Sequence, residues 1–214
     1  MERIHQSRQL DNHAEITRPY GYITRWYIPE ATIKTTMQEY STLMGLDTSD
    51  AVGRDDIGMV IRHVVTGEIL AAGNYNETNL ITFAEWIALM LEQYPKMTLI
   101  IERRSSGAAI LDYVILMLVN KGIDPFKRIY NKAVQDADEV PERFKELQRP
   151  FHIRHQEVYV KYRKLFGFAT SGTGTTSRTE LYTTTLLAAA KNTGDRVKDP
   201  VLVDQNTRTH YQER

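Results

Sequence analysis

Three short apolar runs lie between residues 43 and 75, each bounded by polar stretches containing Gly, Asp or Asn. Runs of that length with those boundaries predict strands at Leu43–Thr48, Ile57–Val65 and Glu68–Tyr75. Thr66 and Gly67 supply the tight turn between the second and third, which makes the group an antiparallel meander. The period then changes. Phe83, Trp86, Ile87, Met90, Leu91 and Tyr94 recur three and four residues apart, predicting an amphipathic helix that stops before Pro95. Met97–Ile101 is a continuous apolar run of strand length ending on Glu102, the pattern of a strand buried on both faces. After RRSSG, the segment from Ala108 to Lys121 is apolar almost all round and predicts a second helix, closed by Gly122 with Pro125 beyond. Phe126–Tyr130 predicts another strand. Val158, Val160 and Tyr162 alternate as in a further one. Ser177 and Glu180 have the capping-box spacing of a last helix ending near Asn192, with Gly194 closing it.

The flanks differ in character. Residues 1–38 are polar, carry Pro19 and Pro29, and hold Tyr20, Tyr22 and Trp26 close together, so they read as an arm or linker ahead of one domain at 39–214. Within that domain, 132–157 is charged and irregular, with Pro141 and Pro150, and reads as an insertion holding a short helix around Glu142–Leu147. Three antiparallel strands, then helix, strand, helix and strand predict an α/β fold. The expected architecture is a ribonuclease H-like mixed sheet, its antiparallel strands extended by parallel ones, with helices on both faces.

At 214 residues and 42% apolar, the chain is long enough for one sizeable core. Lys plus Arg and Asp plus Glu are each 27, so any surface for nucleic acid must be local. With no Cys, a bound metal would need oxygen or imidazole ligands, which favours a hard cation. The first residues are polar, unlike a signal peptide, and no apolar run reaches the roughly 18 residues of a membrane span. A soluble, intracellular protein without a membrane partner is expected.

Asp47 closes the first predicted strand. It reads either as a turn initiator or as a group facing a cleft, because burying an unpaired charge costs several kcal/mol. Glu102 closes a second predicted strand, parallel and adjacent to the first in this topology. Both carboxylates then emerge at strand C-terminal ends, where open α/β sheets bind ligands. Two carboxylates so close repel each other unless a cation sits between them. Mg²⁺ or Mn²⁺ suits oxygen ligands, and two such ions about 4 Å apart support in-line displacement at a phosphodiester. The reaction inferred is metal-dependent phosphodiester hydrolysis.

The runs GLDTSDAVGRDDIGMVI, LIIERRSSGAAILDYV and TTSRTELYTTTLLAAAKNTGDRVKDPVLV, in that order, carry a resemblance. Together they are similar to the nuclease domain of the large terminase subunit of tailed bacteriophages, over roughly Leu43 to Val203. On the family pattern, Asp47 is followed by Gly53 with Asp55 or Asp56 as accessory acids, and Glu102 by Ser105 or Ser106 and Gly107. The resemblance implies an endonuclease that cuts double-stranded DNA during viral genome packaging in the host cytoplasm. Its implied partners are an ATPase domain and other packaging proteins. Two features depart from the family. The third Asp, usually in a His-Asp-Asp run, is missing, which leaves Asp204 as the candidate third ligand. No G-x-x-x-x-G-K-[ST] loop is present either, so the chain is expected to be a piece of a longer protein; Ser171–Ser177 is Gly-rich but lacks the Lys, and reads as a loop near the cleft.

Arg103 and Arg104 read as phosphate contacts or as a solvated strand exit. Lys161, Arg163 and Lys164, interleaved with Tyr159 and Tyr162, read as a DNA-backbone track or as a protected strand edge. Arg178 reads as a phosphate contact or a first-turn helix residue. His152 and His155 read as surface residues, and Asp112 as the solvent mark of its helix. A different class of function also stands: a ribonuclease H-like module that binds DNA or a packaging partner without cutting, because the third carboxylate is absent.

Overall fold

A computed structural model describes residues 13–17, 21–48, 56–76, 79–104, 106–133, 141–154 and 157–170. Two strands precede the expected meander, β1 (His13–Thr17) and β2 (Tyr22–Trp26), and a helix, α1 (Glu30–Glu39), follows them. Then come β3 (Thr42–Asp47), β4 (Ile57–His63), β5 (Ile69–Tyr75), α2 (Leu80–Gln93), β6 (Met97–Ile101) and α3 (Gly107–Asn120). Further on, the described residues form helices α4 (Pro125–Arg128) and α5 (Glu157–Tyr162), with 3-10 turns at Pro141–Gln148, Phe151–Ile153 and Arg163–Leu165. Among the described residues the strands form one six-stranded mixed sheet in the order β1-β2-β5-β4-β3-β6. Only β3 and β6 pair in parallel among these strands; the other neighbours are antiparallel.

The meander, both long helices and β6 form where the hydrophobic periods place them. The reading of residues 1–38 as an arm is corrected for the described residues 13–17 and 21–38. β2 pairs with β5 through Arg25↔Ala72 and Trp26↔Ala71, and α1 buries Ile33 and Met37. The cause lies in the alternation of Tyr22, Thr24 and Trp26, all buried, which is the signature of a half-buried strand. Pro29 does not interrupt an element; it stands at the N-cap of α1.

One face of the sheet is the core. Met44 and Leu46, Ile57, Met59 and Ile61, and Met97, Leu99 and Ile101 are all buried there, with Phe83, Trp86, Ile87 and Leu91 from α2 in the same apolar cluster. The rings of Tyr22, Tyr75, Phe83 and Trp86 meet with centroids 5.0 to 5.7 Å apart. Of these, the edge-on contacts of Tyr22 with Tyr75, Phe83 and Trp86 and of Tyr75 with Trp86 add about 0.5–1.5 kcal/mol each beyond the area they bury. The alternate positions, Leu43, Gly45, Val60, Thr98 and Ile100, are only half-buried. β6 is therefore buried fully on one face and partly on the other.

Two expected strands are corrected. Phe126–Tyr130 is not a strand: Asp124 caps α4 by accepting from Phe126 N at 3.1 Å, and Pro125 takes the first helical position. Only Ile129 bridges to the sheet, parallel to Leu99. Arg128 turns inward, donating to the carbonyls of Met97 (3.1 Å), Tyr94 (2.7 Å) and Leu91. Burial pulls its pKa below the usual arginine value. Val158, Val160 and Tyr162 are not a strand either. In α5 the buried residues are Val158, Tyr159 and Tyr162, while Val160 is exposed, a helical spacing that a five-residue run does not separate from alternation.

Within the segment expected as an insertion, residues 141–154 pack onto the domain. Phe144 is buried against Tyr162, with centroids 5.4 Å apart, and Arg154 pairs with Asp124 at 2.8 Å with both side chains about nine-tenths buried.

Candidate functional site

The parallel pairing of β3 and β6 runs in register from Thr42↔Met97 to Leu46↔Ile101, and Glu102 N donates to Leu46 O at 3.4 Å. One further step brings Asp47 beside Glu102. Neighbouring strands lie about 4.8 Å apart, and strand alternation puts both carboxylates on the half-buried face, with Gly45 and Ile100. Asp47 is exposed, whereas Glu102 is 8% exposed. A buried carboxylate needs partners. One is Thr170, whose hydroxyl donates to Glu102 Oε1 at 2.5 Å.

Local backbone brings the two strand ends close to α3. A Cβ added at Gly107 would stand 1.9 Å from the Glu102 carbonyl oxygen and 2.7 Å from Thr48 Oγ1, so only glycine lets the first turn of α3 lie against the strand exits. Thr48 Oγ1 in turn donates to Arg104 O at 3.3 Å. On its other side β6 is met by the segment 166–170. Phe168 N donates to Ile101 O at 3.0 Å, Arg103 N donates to Phe168 O at 2.7 Å, and Glu102 and Phe168 form a parallel bridge. Gly167 makes this approach with φ 69°, and a side chain there would meet Ile101 O at 2.7 Å.

The other expected residues divide. Asp56 stands one residue ahead of β4, whose Gly58 pairs with Asp47. Ser106 is buried immediately before α3. Arg103 and Arg104 part company: the Arg103 guanidinium donates to Lys164 O at 2.8 Å, while the Arg104 side chain is exposed. The basic cluster lies on α5 and the turn after it, not on a strand edge. Lys161 donates to Glu146 at 2.5 Å, and that bond pushes the lysine pKa up and the glutamate pKa down. Arg163 pairs with Asp112 at 3.3 Å. Lys164 is exposed. Asp55, Asp204, Arg178, the Ser171–Ser177 loop and the helix expected at 177–192 lie outside the described residues. Thr48 and Thr170 carry no motif. Their only signal in the sequence is a small hydroxyl residue close to an acidic strand end and to a Gly-rich run.

The donor set fits one divalent hard cation. Mg²⁺ is commonly held by one or two carboxylates and several waters, and Asp47 with Glu102 would be those carboxylates. Among the described residues no group of three or more His, Cys, Asp or Glu is arranged to hold a metal ion. A two-ion site therefore rests on Asp204 as expected from the sequence. The fold and site together define an α/β domain with paired acidic residues at adjacent parallel strand ends. No family model matches the chain, and no curated protein matches it. No helix among the described residues is long and apolar enough to cross a membrane.

Proposed function

We propose that the chain is a ribonuclease H-like, divalent-metal-dependent endonuclease domain acting on double-stranded DNA, of the kind used in phage genome packaging. The observation that carries this reading is the in-register β3–β6 pair, which delivers Asp47 and Glu102 to one face at one end of the sheet. The strand order β5-β4-β3-β6 adds support, since it is the expected meander with its parallel extension. So do the parallel bridges from Ile129 and Phe168 on the outer edge of β6, where the next parallel strand of such a sheet would stand.

In this reading Asp47 and Glu102 hold Mg²⁺ or Mn²⁺ through their oxygens. A cation held there would supply Lewis-acid polarisation of the phosphodiester and lower the pKa of an attacking water. Arg104, exposed beside Glu102, faces a backbone phosphate and holds it by charge-assisted hydrogen bonds. Because Lys161 and Arg163 are engaged by Glu146 and Asp112, DNA contact on the α5 side falls mainly to Lys164.

Nicking of a supercoiled plasmid in Mn²⁺ tests the proposal. The wild-type chain is expected to nick, and Asp47→Ala and Glu102→Ala to lose the activity by at least about 100-fold, the scale of metal-assisted steps. Undiminished cleavage in both variants would remove the assignment. A gel shift without nicking in any divalent metal would favour the non-cutting DNA-binding module instead.

A further inference from the structure

We infer that Thr170 is the positioning residue of this site, setting the orientation of the Glu102 carboxylate for cation binding. The inference rests on the metal-site reading above and extends it to a residue that no motif marks. Glu102 has three side-chain torsions and emerges at a strand end, where nothing in the β6 ladder fixes its head group. The Thr170 hydroxyl does fix it, donating to Oε1 at 2.5 Å. With Oε1 held, Oε2 is left for a cation.

Thr170 is delivered by backbone and not by chance packing. Phe166 bridges antiparallel to Asn131 and sets its ring, tilted, 4.6 Å from that of Phe126, anchoring the segment. Gly167 N donates to Tyr130 O at 2.8 Å, and its positive φ turns the chain onto β6. Phe168 then exchanges hydrogen bonds with Ile101 and Arg103 on either side of Glu102. Arg103 reinforces the strap from below by donating to Lys164 O. These contacts leave Thr170 two residues beyond the residue bridged to Glu102, with its side chain on the Glu102 head group. Hydroxyl and carbonyl partners of this sort orient metal ligands, and their loss commonly costs 10- to 100-fold in metal affinity.

The test is calorimetric titration of the full chain with MnCl₂. Thr170→Val is expected to bind Mn²⁺ about tenfold more weakly than wild type, and Thr170→Ser to bind as wild type does. The metal-free thermal midpoint of Thr170→Val should fall by a few degrees, since a buried carboxylate loses a donor, and that of Thr170→Ser should not. Plasmid nicking by Thr170→Val should recover when Mn²⁺ is raised, because affinity and not the chemical step is affected. Thr170→Ala gives the same comparison should valine disturb the fold. Unchanged Mn²⁺ affinity in Thr170→Val and Thr170→Ala, with binding lost in Glu102→Gln, overturns the inference and leaves the metal site standing. Equal weakening in Thr170→Ser also overturns it, since the hydroxyl would then not be the cause. A wild-type chain that takes up no Mn²⁺ removes the metal site itself, and the role of Thr170 with it.

Discussion

Gly107 is the residue on which the closeness of the site depends. Its hydrogen is replaced by a methyl only if the backbone carbonyl of Glu102 moves away, and a carbonyl at the end of a paired strand has nowhere to go. Gly107→Ala should therefore destabilise by about 2–3 kcal/mol, at the upper part of the overpacking range, as read by the urea midpoint. Arg103 and Arg104 make a second contrast. Arg104→Ala should weaken DNA binding across sequences and lower the salt slope by about 1, whereas Arg103→Ala should leave that slope alone and loosen the strap over β6. Tyr75 gives a pH prediction. Burial raises its pKa well above the ordinary 10.0, against the lowering effect of its bond to Thr24 Oγ1 at 2.9 Å. The folded protein keeps this proton where the unfolded chain loses it. Its contribution to stability is complete below about pH 10 and declines above it. Tyr75→Phe should flatten that alkaline loss when urea midpoints are compared between pH 8 and pH 11.

Elements whose apolar residues repeat over two or more turns, or over a whole strand, were legible in order and nearly in extent. α2 shows why. Its stripe of Phe83, Trp86, Ile87, Met90 and Leu91 is long enough to exclude a strand, and Asn79 accepts from Ile81 N and Thr82 N at 3.2 Å to start it. Asn79→Ala should cost about 1 kcal/mol, a fall of about 2–4 °C in Tm for a chain of this size. Short runs were not decidable. α4 and α5 are four and six residues long, and over such lengths helical and alternating periods coincide. β2 was missed for the opposite reason, since the prolines and polar residues around it outweighed the alternation of three buried side chains. The Phe166–Thr170 strap has no period at all, because each contact is a single bridge.

Across the molecule, long-range polar ties around Arg154 hold the 141–154 segment to the start of α4. Arg154 reaches Asp124 and also donates to Leu147 O at 2.6 Å and Arg149 O at 2.7 Å, gathering the 141–154 segment around one guanidinium. Removing one partner of a buried pair leaves the other charged and unpaired. Arg154→Met should cost about 3 kcal/mol, and adding Asp124→Ala should recover part of that loss, giving a non-additive double-mutant cycle in urea unfolding. Nicking should change little in the double variant if the β3–β6 ends keep their register, which would separate the packing of this segment from the chemistry at the cleft.

The hydrophobic periods of this chain were enough to establish the meander, the two long helices and the placement of Asp47 and Glu102 at strand ends, because those features depend on contacts repeated at a fixed spacing. The strap that brings Thr170 to Glu102, the division of labour between Arg103 and Arg104, and the inclusion of residues 13–17 and 21–39 in the fold came from the assembled molecule alone. The first two depend on single contacts between segments far apart in the chain, which leave no periodic trace among the amino acids; the third depends on the pairing of β2 with β5, which gives weight to an alternation of only three side chains.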